Sequence, residues 1–336
     1  MTHAPRPSAR RPARPSTPFP ALRSVAEVVA GAGRRARTLG GPRPFPWGAA
    51  QWPGSLPRPV APQKLGADYP TAWARRYPAR LVRAVLTDNV TRPAVHLLAS
   101  PQVRGDEHLA LVDPPAIFVA NHTSHLDTPL LVSVLPVGMR HRTVVAGAAD
   151  YFFDRRWKAH LWALVLGAVP IERQRVSRRS ADTTADLLGD GYNLVIFPEG
   201  GRTSDGWQQP FRAGAAYLSV RTGRPVVPVH LSGTGRLLPK DGARLRRSPT
   251  TVTFGTPMAP RPDEDARRFA TRIEAAVSAL AVEDTTDWWH SRRHLAAGTA
   301  VARAGGPDAA PWRRAWAKPP PVDRRDDPER WAVEER

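Results

Sequence analysis

The segment Asn121-His122-Thr123-Ser124-His125-Leu126-Asp127 holds the residue types of acid–base chemistry. An imidazole five residues ahead of a carboxylate, across a strand-to-helix turn, can act as an oriented base. The carboxylate keeps one ring nitrogen protonated, and the other accepts a proton from a substrate hydroxyl. Two other readings fit the same residues. Ser124 and Asp127 have the Ser-x-x-Asp spacing of a helix capping box, a purely structural device. His122, His125 and Asp127 are also metal-ligand types. The His-x-His-x-Asp-His spacing of metallo-hydrolases fails, however, because Thr123 and Thr128 stand at two of its positions.

Three further clusters follow in the chain. Phe197-Pro198-Glu199-Gly200-Gly201-Arg202-Thr203 comes directly after an apolar run. Its glycines let backbone approach a ligand closely, and the Arg202 guanidinium has the fixed fork of donors that suits phosphate. By itself the cluster also reads as a glycine turn with a surface arginine. Gly167-Ala168-Val169-Pro170-Ile171-Glu172-Arg173 and Val226-Val227-Pro228-Val229 each read as a short core strand, with Arg173 as a second phosphate contact.

Taken together and in this order, the four blocks resemble the glycerolipid acyltransferase family that includes the 1-acylglycerol-3-phosphate acyltransferases. That family carries N-H-x-S-x-x-D, then G-x-x-x-I-x-R, then F-P-E-G-T-R-S, then V-P-V. Asn121, His122, Ser124 and Asp127 match the first block, and Gly167, Ile171 and Arg173 the second. Phe197, Pro198, Glu199, Gly200 and Arg202 match the third, and Val227, Pro228 and Val229 the fourth. The likeness runs from about Asp68 to Val282. Gly201 and Thr203 depart from the family's Thr and Ser, so Thr203 or Ser204 would supply the hydroxyl.

The resemblance implies His122 as general base, oriented by Asp127. It implies Glu199, Gly200 and Arg202 as holders of a glycerol-phosphate acceptor, helped by Arg173, with Asn121 and Ser124 also among the substrate contacts. The acyl donor would be acyl-CoA or acyl carrier protein, and the acceptor lysophosphatidic acid, giving phosphatidic acid. Glycerol 3-phosphate or another lysophospholipid would suit the same base. No metal or bound cofactor is implied, since the thioester is a substrate. Two rival functions remain. A serine esterase would need a G-x-S-x-G elbow, which is absent. A non-catalytic basic protein that binds membrane or nucleic acid would explain the charge but not the four blocks.

Elements must place these blocks at one end of a sheet. Trp73 to Leu98 has the apolar spacing of one or two helices. Strand-like runs at Ala116–Ala120, Thr143–Ala146, Ala168–Ile171, Asn193–Phe197, Val226–Leu231 and Val252–Phe254 alternate with helical ones. The helical runs are Leu126–Leu135, Asp154–Leu166, Ser180–Gly189, Phe211–Thr222 and a final Asp263–Val282. This alternation predicts an α/β domain with a mostly parallel or mixed central sheet flanked by helices, which by the resemblance is glycerolphosphate-acyltransferase-like. The predicted organisation is a basic tail at 1–66, the α/β domain at 67–285 and a Trp/Arg-rich extension at 286–336.

Composition sets the outer bounds. The 336 residues carry 49 Lys+Arg against 30 Asp+Glu, a net +19, which favours anionic partners. The core from 67 to 284 remains basic without the tail, in keeping with an anionic acceptor. With no cysteine, disulfides, thiolate metal sites and a cysteine nucleophile are excluded. Residues 1–66 hold 13 of the 37 prolines, 11 basic residues and one acid, Glu27, a composition that predicts disorder. No run reaches the roughly 18 apolar residues of a spanning helix, and no secretory signal is expected. An enzyme of this kind would sit peripherally on an anionic membrane, with nucleic acid not expected as a partner. The Arg/Ala/Pro-rich composition is that of a high-GC bacterium and points to the cytoplasmic side of the cell membrane.

Overall fold

The computed structural model describes residues 66, 69–172, 178–203, 205–238, 245–310, 313–314 and 317. Residues 1–65 of the basic tail, Arg173, Ser204, Trp312, Trp316 and Trp331 lie outside the described residues.

The centre of the domain is β2 (Ile117–Ala120), every residue of which is buried. It pairs in parallel with β5 (Asn193–Ile196) on one side and β6 (Val226–Ser232) on the other. A strand covered on both faces needs apolar residues throughout, so β2 reads as a continuous hydrophobic run. Successive side chains turn to opposite faces. Phe118 and Ala120 join one core layer with Leu130, Leu131, Val227 and Phe254. Ile117 and Val119 join the other with Leu188, Leu194, Phe269 and Ile273.

The seven strands lie in the order β1-β7-β6-β2-β5-β3-β4. Here β1 is Pro101–Arg104, β3 Thr143–Ala148, β4 Ala168–Ile171 and β7 Thr250–Phe254. Among the described strands only β7 against β6 is antiparallel, so the sheet is mixed and mostly parallel, as expected. The edge strand β1 escapes a periodicity reading, because Pro-Gln-Val-Arg is short and polar and opens on proline. Proline is tolerated at the first residue of an edge strand.

The amino-terminal helical stretch is α1 (Tyr77–Leu86), one π-helical turn (Thr87–Thr91) and α2 (Arg92–Ala99). Pro93 has no N–H for the helical ladder, and the wider turn directly before it absorbs the mismatch. The helices that follow are α3 (Asp127–Val134), short α4 (Val137–Arg140) and α5 (Ala149–Phe152), α6 (Arg156–Leu166), α7 (Arg178–Gly189) and α8 (Gly214–Thr222). Gly167 ends α6 in the left-handed region, φ 63°, with its N–H on the Trp162 carbonyl. A Cβ there would also meet the Thr143 carbonyl oxygen at 3.2 Å, so the glycine of the second block has a backbone reason.

Beyond short α9 (Thr234–Leu237) comes α10 (Ala266–Thr285). The apolar pattern fades beyond about Thr286, yet two more helices form, α11 (Trp288–Ala296) and α12 (Ala300–Gly305), and both pack on α10. Asp287 caps α11 by accepting the His290 N–H at 2.9 Å. The compact body therefore runs on past residue 286. Among the described residues, no helix is long and apolar enough to cross a membrane.

Candidate active site

His122 lies on the loop that leaves β2, and Asp127 is the first residue of α3. The His122 Nδ1 is 2.8 Å from Asp127 Oδ2. That oxygen also accepts the backbone N–H of Thr123 at 2.7 Å and of Ser124 at 2.8 Å. Asp127 is fully buried, and its charge sits at a helix N-terminus, where it is favoured. One carboxylate oxygen thus serves both the imidazole and the turn, whereas the capping box is only half formed: the Ser124 N–H reaches Asp127, but Leu126 is the N-cap and no side chain caps the helix. With Nδ1 committed to Asp127, Nε2 is the ring nitrogen left to take a proton from a substrate.

The third block surrounds the same histidine. Phe197 stacks on the imidazole, with ring centroids 4.2 Å apart and planes at 21°. Glu199 Oε1 accepts the His122 N–H at 2.8 Å, and the Thr203 N–H donates to the His122 carbonyl at 3.0 Å. His122 is thus held at its ring face, its ring nitrogen, its N–H and its carbonyl.

Sequence reasoning places Glu199 among the acceptor contacts. In the structure its carboxylate is turned into the protein. It is buried, with Oε2 accepting the Gln209 N–H at 3.0 Å. Asn121 is likewise engaged, pinning the loop to β6 through Leu231: Nδ2 donates to the Leu231 carbonyl at 2.9 Å and Oδ1 accepts its N–H at 2.7 Å. Ser124 is fully buried and donates to the Leu238 carbonyl at 2.9 Å.

Gly200 adopts φ 76°, and a Cβ there would meet the Arg212 guanidinium at 2.9 Å. Only glycine lets that arginine lie against the turn. Arg212, just ahead of α8, was not singled out by motif reasoning. Its signal in the sequence is a second basic residue ten positions after Arg202, before a helix start. Arg202 is half-buried and close enough to act on His125. Burial, then the charge of Arg202, lowers the His125 pKa to about 4, so this ring is neutral near pH 7. His125 Nε2 lies 3.0 Å from the Tyr151 hydroxyl, and the two rings stack.

An apolar cavity of about 130 Å³ opens at His122. Small residues make the room: Ala146, Gly147 and Ala148 at the end of β3, and Ala168 on β4. Leu166 and Phe152 complete the apolar wall, and Gly200 and Arg212 stand at the polar end. The site lies outside the carboxyl ends of the parallel strands, where open α/β sheets bind ligands.

Residues 100–232 match the family model described as Acyltransferase. The match to the acyltransferase family is carried by these residues. The acyltransferase domain is similar to a chloroplastic 1-acyl-sn-glycerol-3-phosphate acyltransferase, BAT2, of Brassica napus, at 31% identity over 41% of this chain and 38% of that protein. It is also similar to 1-acyl-sn-glycerol-3-phosphate acyltransferase alpha of Ovis aries, at 27% identity over 61% of this chain and 70% of that protein. The chain spans less than half the length of the chloroplast relatives from Brassica napus and Arabidopsis thaliana. Among solved structures, the 1-acyl-sn-glycerophosphate acyltransferase PlsC of Thermotoga maritima aligns with a TM-score of 0.48 and 22% identity, over 64% of this chain and 83% of that one.

Proposed function

We propose that this protein transfers a fatty acyl group from acyl-CoA or acyl carrier protein to the free hydroxyl of lysophosphatidic acid, giving phosphatidic acid, at a membrane surface. The observation that carries the reading is the His122–Asp127 pair at 2.8 Å, placed at the mouth of an apolar cavity inside an acyltransferase-family domain.

In this reading His122 Nε2 takes the proton of the acceptor hydroxyl as its oxygen attacks the thioester carbonyl. Asp127 fixes the ring tautomer and stabilises the imidazolium. The tetrahedral intermediate collapses with loss of the thiolate, which takes the proton from His122. One ester bond forms, one thioester bond breaks, and the enzyme returns to its starting state with neither metal nor cofactor. The acyl chain lies in the apolar cavity. Arg202 and Arg212, the latter lying against Gly200, hold the acceptor phosphate, and Arg173 assists. The buried carboxylate of Glu199 serves the same reaction by fixing the His122 backbone.

Membrane contact has its own support. Tyr77, Leu81, Val82 and Val85 on α1 are exposed, as are Trp157 and Leu161 on α6, which packs beside it. Arg76, Arg80, Arg155 and Arg156 are exposed around them. An apolar patch with aromatic residues and an arginine rim suits an anionic bilayer interface. Since α6 ends at the cavity, the patch would feed lipid to the site from the inner face of the cell membrane.

The test is transfer of labelled oleate from its thioesters to a panel of lysophospholipids and glycerol 3-phosphate. Product on lysophosphatidic acid above all others supports the proposal. Preference for another acceptor retains the chemistry and replaces the substrate.

A further inference from the structure

Between the third block and α8 the chain makes a loop, and both of its ends bear on the base. Thr203, at the start, donates its N–H to the His122 carbonyl at 3.0 Å. Gln209, at the far end, donates its N–H to Glu199 Oε2 at 3.0 Å, and Oε1 of the same carboxylate accepts the His122 N–H at 2.8 Å. Whatever fixes this loop therefore fixes the frame of His122. The loop is polar, and Gly206 within it takes φ 77°, a backbone state that costs conformational entropy to hold.

The support comes from the carboxyl-terminal extension, which lies beyond the residues that match the acyltransferase family. The Gln208 N–H donates to the Ala304 carbonyl of α12 at 3.1 Å. Two successive N–H groups of the loop thus serve α12 and Glu199. Arg314 Nε donates to Asp205 Oδ2 at 2.8 Å across 109 positions, and Asp205 Oδ1 accepts the Trp207 N–H at 3.1 Å. The Trp207 indole N–H donates in turn to the Arg314 carbonyl at 2.6 Å. The two terminal nitrogens of Arg314 donate to the Pro307 carbonyl at 2.8 Å and the Gly305 carbonyl at 2.7 Å, at the carboxyl end of α12, where a cation is favoured. Gly306, at φ 77°, lies so close to Trp207 that a Cβ would overlap the indole. Burial disfavours the Asp205 carboxylate, but hydrogen bonds from Arg314 and Trp207 outweigh it and hold its pKa below the ordinary value. The Asp205–Arg314 pair is therefore charged near neutral pH.

Resting on the acyl-transfer reading of the site, we propose that α12 and Arg314 form a strap that positions the general base. Arg314, Trp207 and Asp205 are positioning residues, acting on His122 through the loop, Glu199 and Thr203. The Ala304 carbonyl, the Gln208–Gln209 backbone and the Glu199 carboxylate make one chain of hydrogen bonds from the extension to the His122 N–H. Misplacing a reacting group by about 1 Å can cost about 10²-fold in rate, so slack in this chain is expressed in kcat. The extension then belongs to the apparatus that aligns the base.

The experiment uses the full chain and compares Arg314→Ala, Arg314→Lys and Trp207→Phe with wild type, each also in a Glu199→Gln background. Steady-state transfer of labelled oleate reads kcat and both KM values. Hydrogen exchange of the peptides that contain His122 and Gln209, read by mass spectrometry, follows the same chain without turnover. Arg314→Ala is expected to lower kcat about ten-fold and Trp207→Phe about three-fold, with donor and acceptor KM near wild type. Arg314→Lys, which keeps the charge, is expected to recover part of the loss. Both peptides are expected to exchange about ten-fold faster in Arg314→Ala, while those over β1 and β7 stay unchanged. In the Glu199→Gln background the same variants are expected to cost little more, because the link they act through is already cut. If Arg314→Ala does not fold, Trp207→Phe decides, since it keeps an aromatic ring beside Gly306 and removes the indole N–H. Wild-type kcat in the folded variants, losses that multiply with that of Glu199→Gln, or a raised KM at unchanged kcat would each overturn the strap. If wild type transfers to no acceptor, the exchange data decide alone. A response at His122 would then keep the strap and refute the proposed reaction, and no response would sink both.

Discussion

At the scale of single residues, the blocks divide their work differently from what their spacing suggests. The first and third blocks meet at one histidine. Asp127 orients its ring, Phe197 covers its face, and Glu199 and Thr203 hold its backbone. Glu199 allows a sharp test, because both of its oxygens accept from N–H groups. Glutamine at 199 can satisfy only one of them and sets an N–H against the other. Glu199→Gln is expected to lose about 1–3 kcal/mol of stability and to lower kcat about ten-fold or more as His122 shifts, with acceptor KM near wild type. A raised acceptor KM at unchanged kcat would instead put Glu199 on the substrate. The His122–Asp127 pairing was open to sequence reasoning because five residues across a strand-to-helix turn bring the groups together. The Glu199 contact was not, since a hydrogen bond across 77 positions leaves no local pattern.

At the scale of elements, legibility follows burial. The runs at β2, β5 and β6 are covered on both faces and stand out as apolar blocks. Edge strand β1 and the helices α11 and α12 carry little apolar periodicity. They are held by contacts with β7 and α10 that the chain makes only once folded. Arg212 belongs to the same class, because it reaches the site through the turn at Gly200. The ends of β3 and β4 have a function of their own, since their small residues hollow out the apolar cavity. Ala146→Leu adds three carbons to its wall. That change is expected to shift donor preference toward shorter acyl chains, each lost buried methylene costing about 0.8 kcal/mol. Competition between thioesters of graded length reads the shift, and an unaltered profile would place the chain elsewhere.

At the scale of the whole molecule, charge and apolar surface act together. A net charge of +19 comes with an arginine-rimmed apolar face on α1 and α6. Vesicle co-sedimentation is expected to show binding that needs anionic lipid, weakens with salt, and falls when Leu81 and Trp157 are changed together to Ser. Equal binding to neutral vesicles would assign the face another use. All of these parts converge on one claim, that His122 is the base of an acyl transfer. The most direct test is the rate of labelled oleoyl transfer from coenzyme A or carrier protein to lysophosphatidic acid, wild type beside His122→Ala. A fall of about 10²–10⁴-fold in a variant that keeps its melting temperature and its affinity for coenzyme A is the expected result. Transfer at the wild-type rate by the folded variant would contradict it.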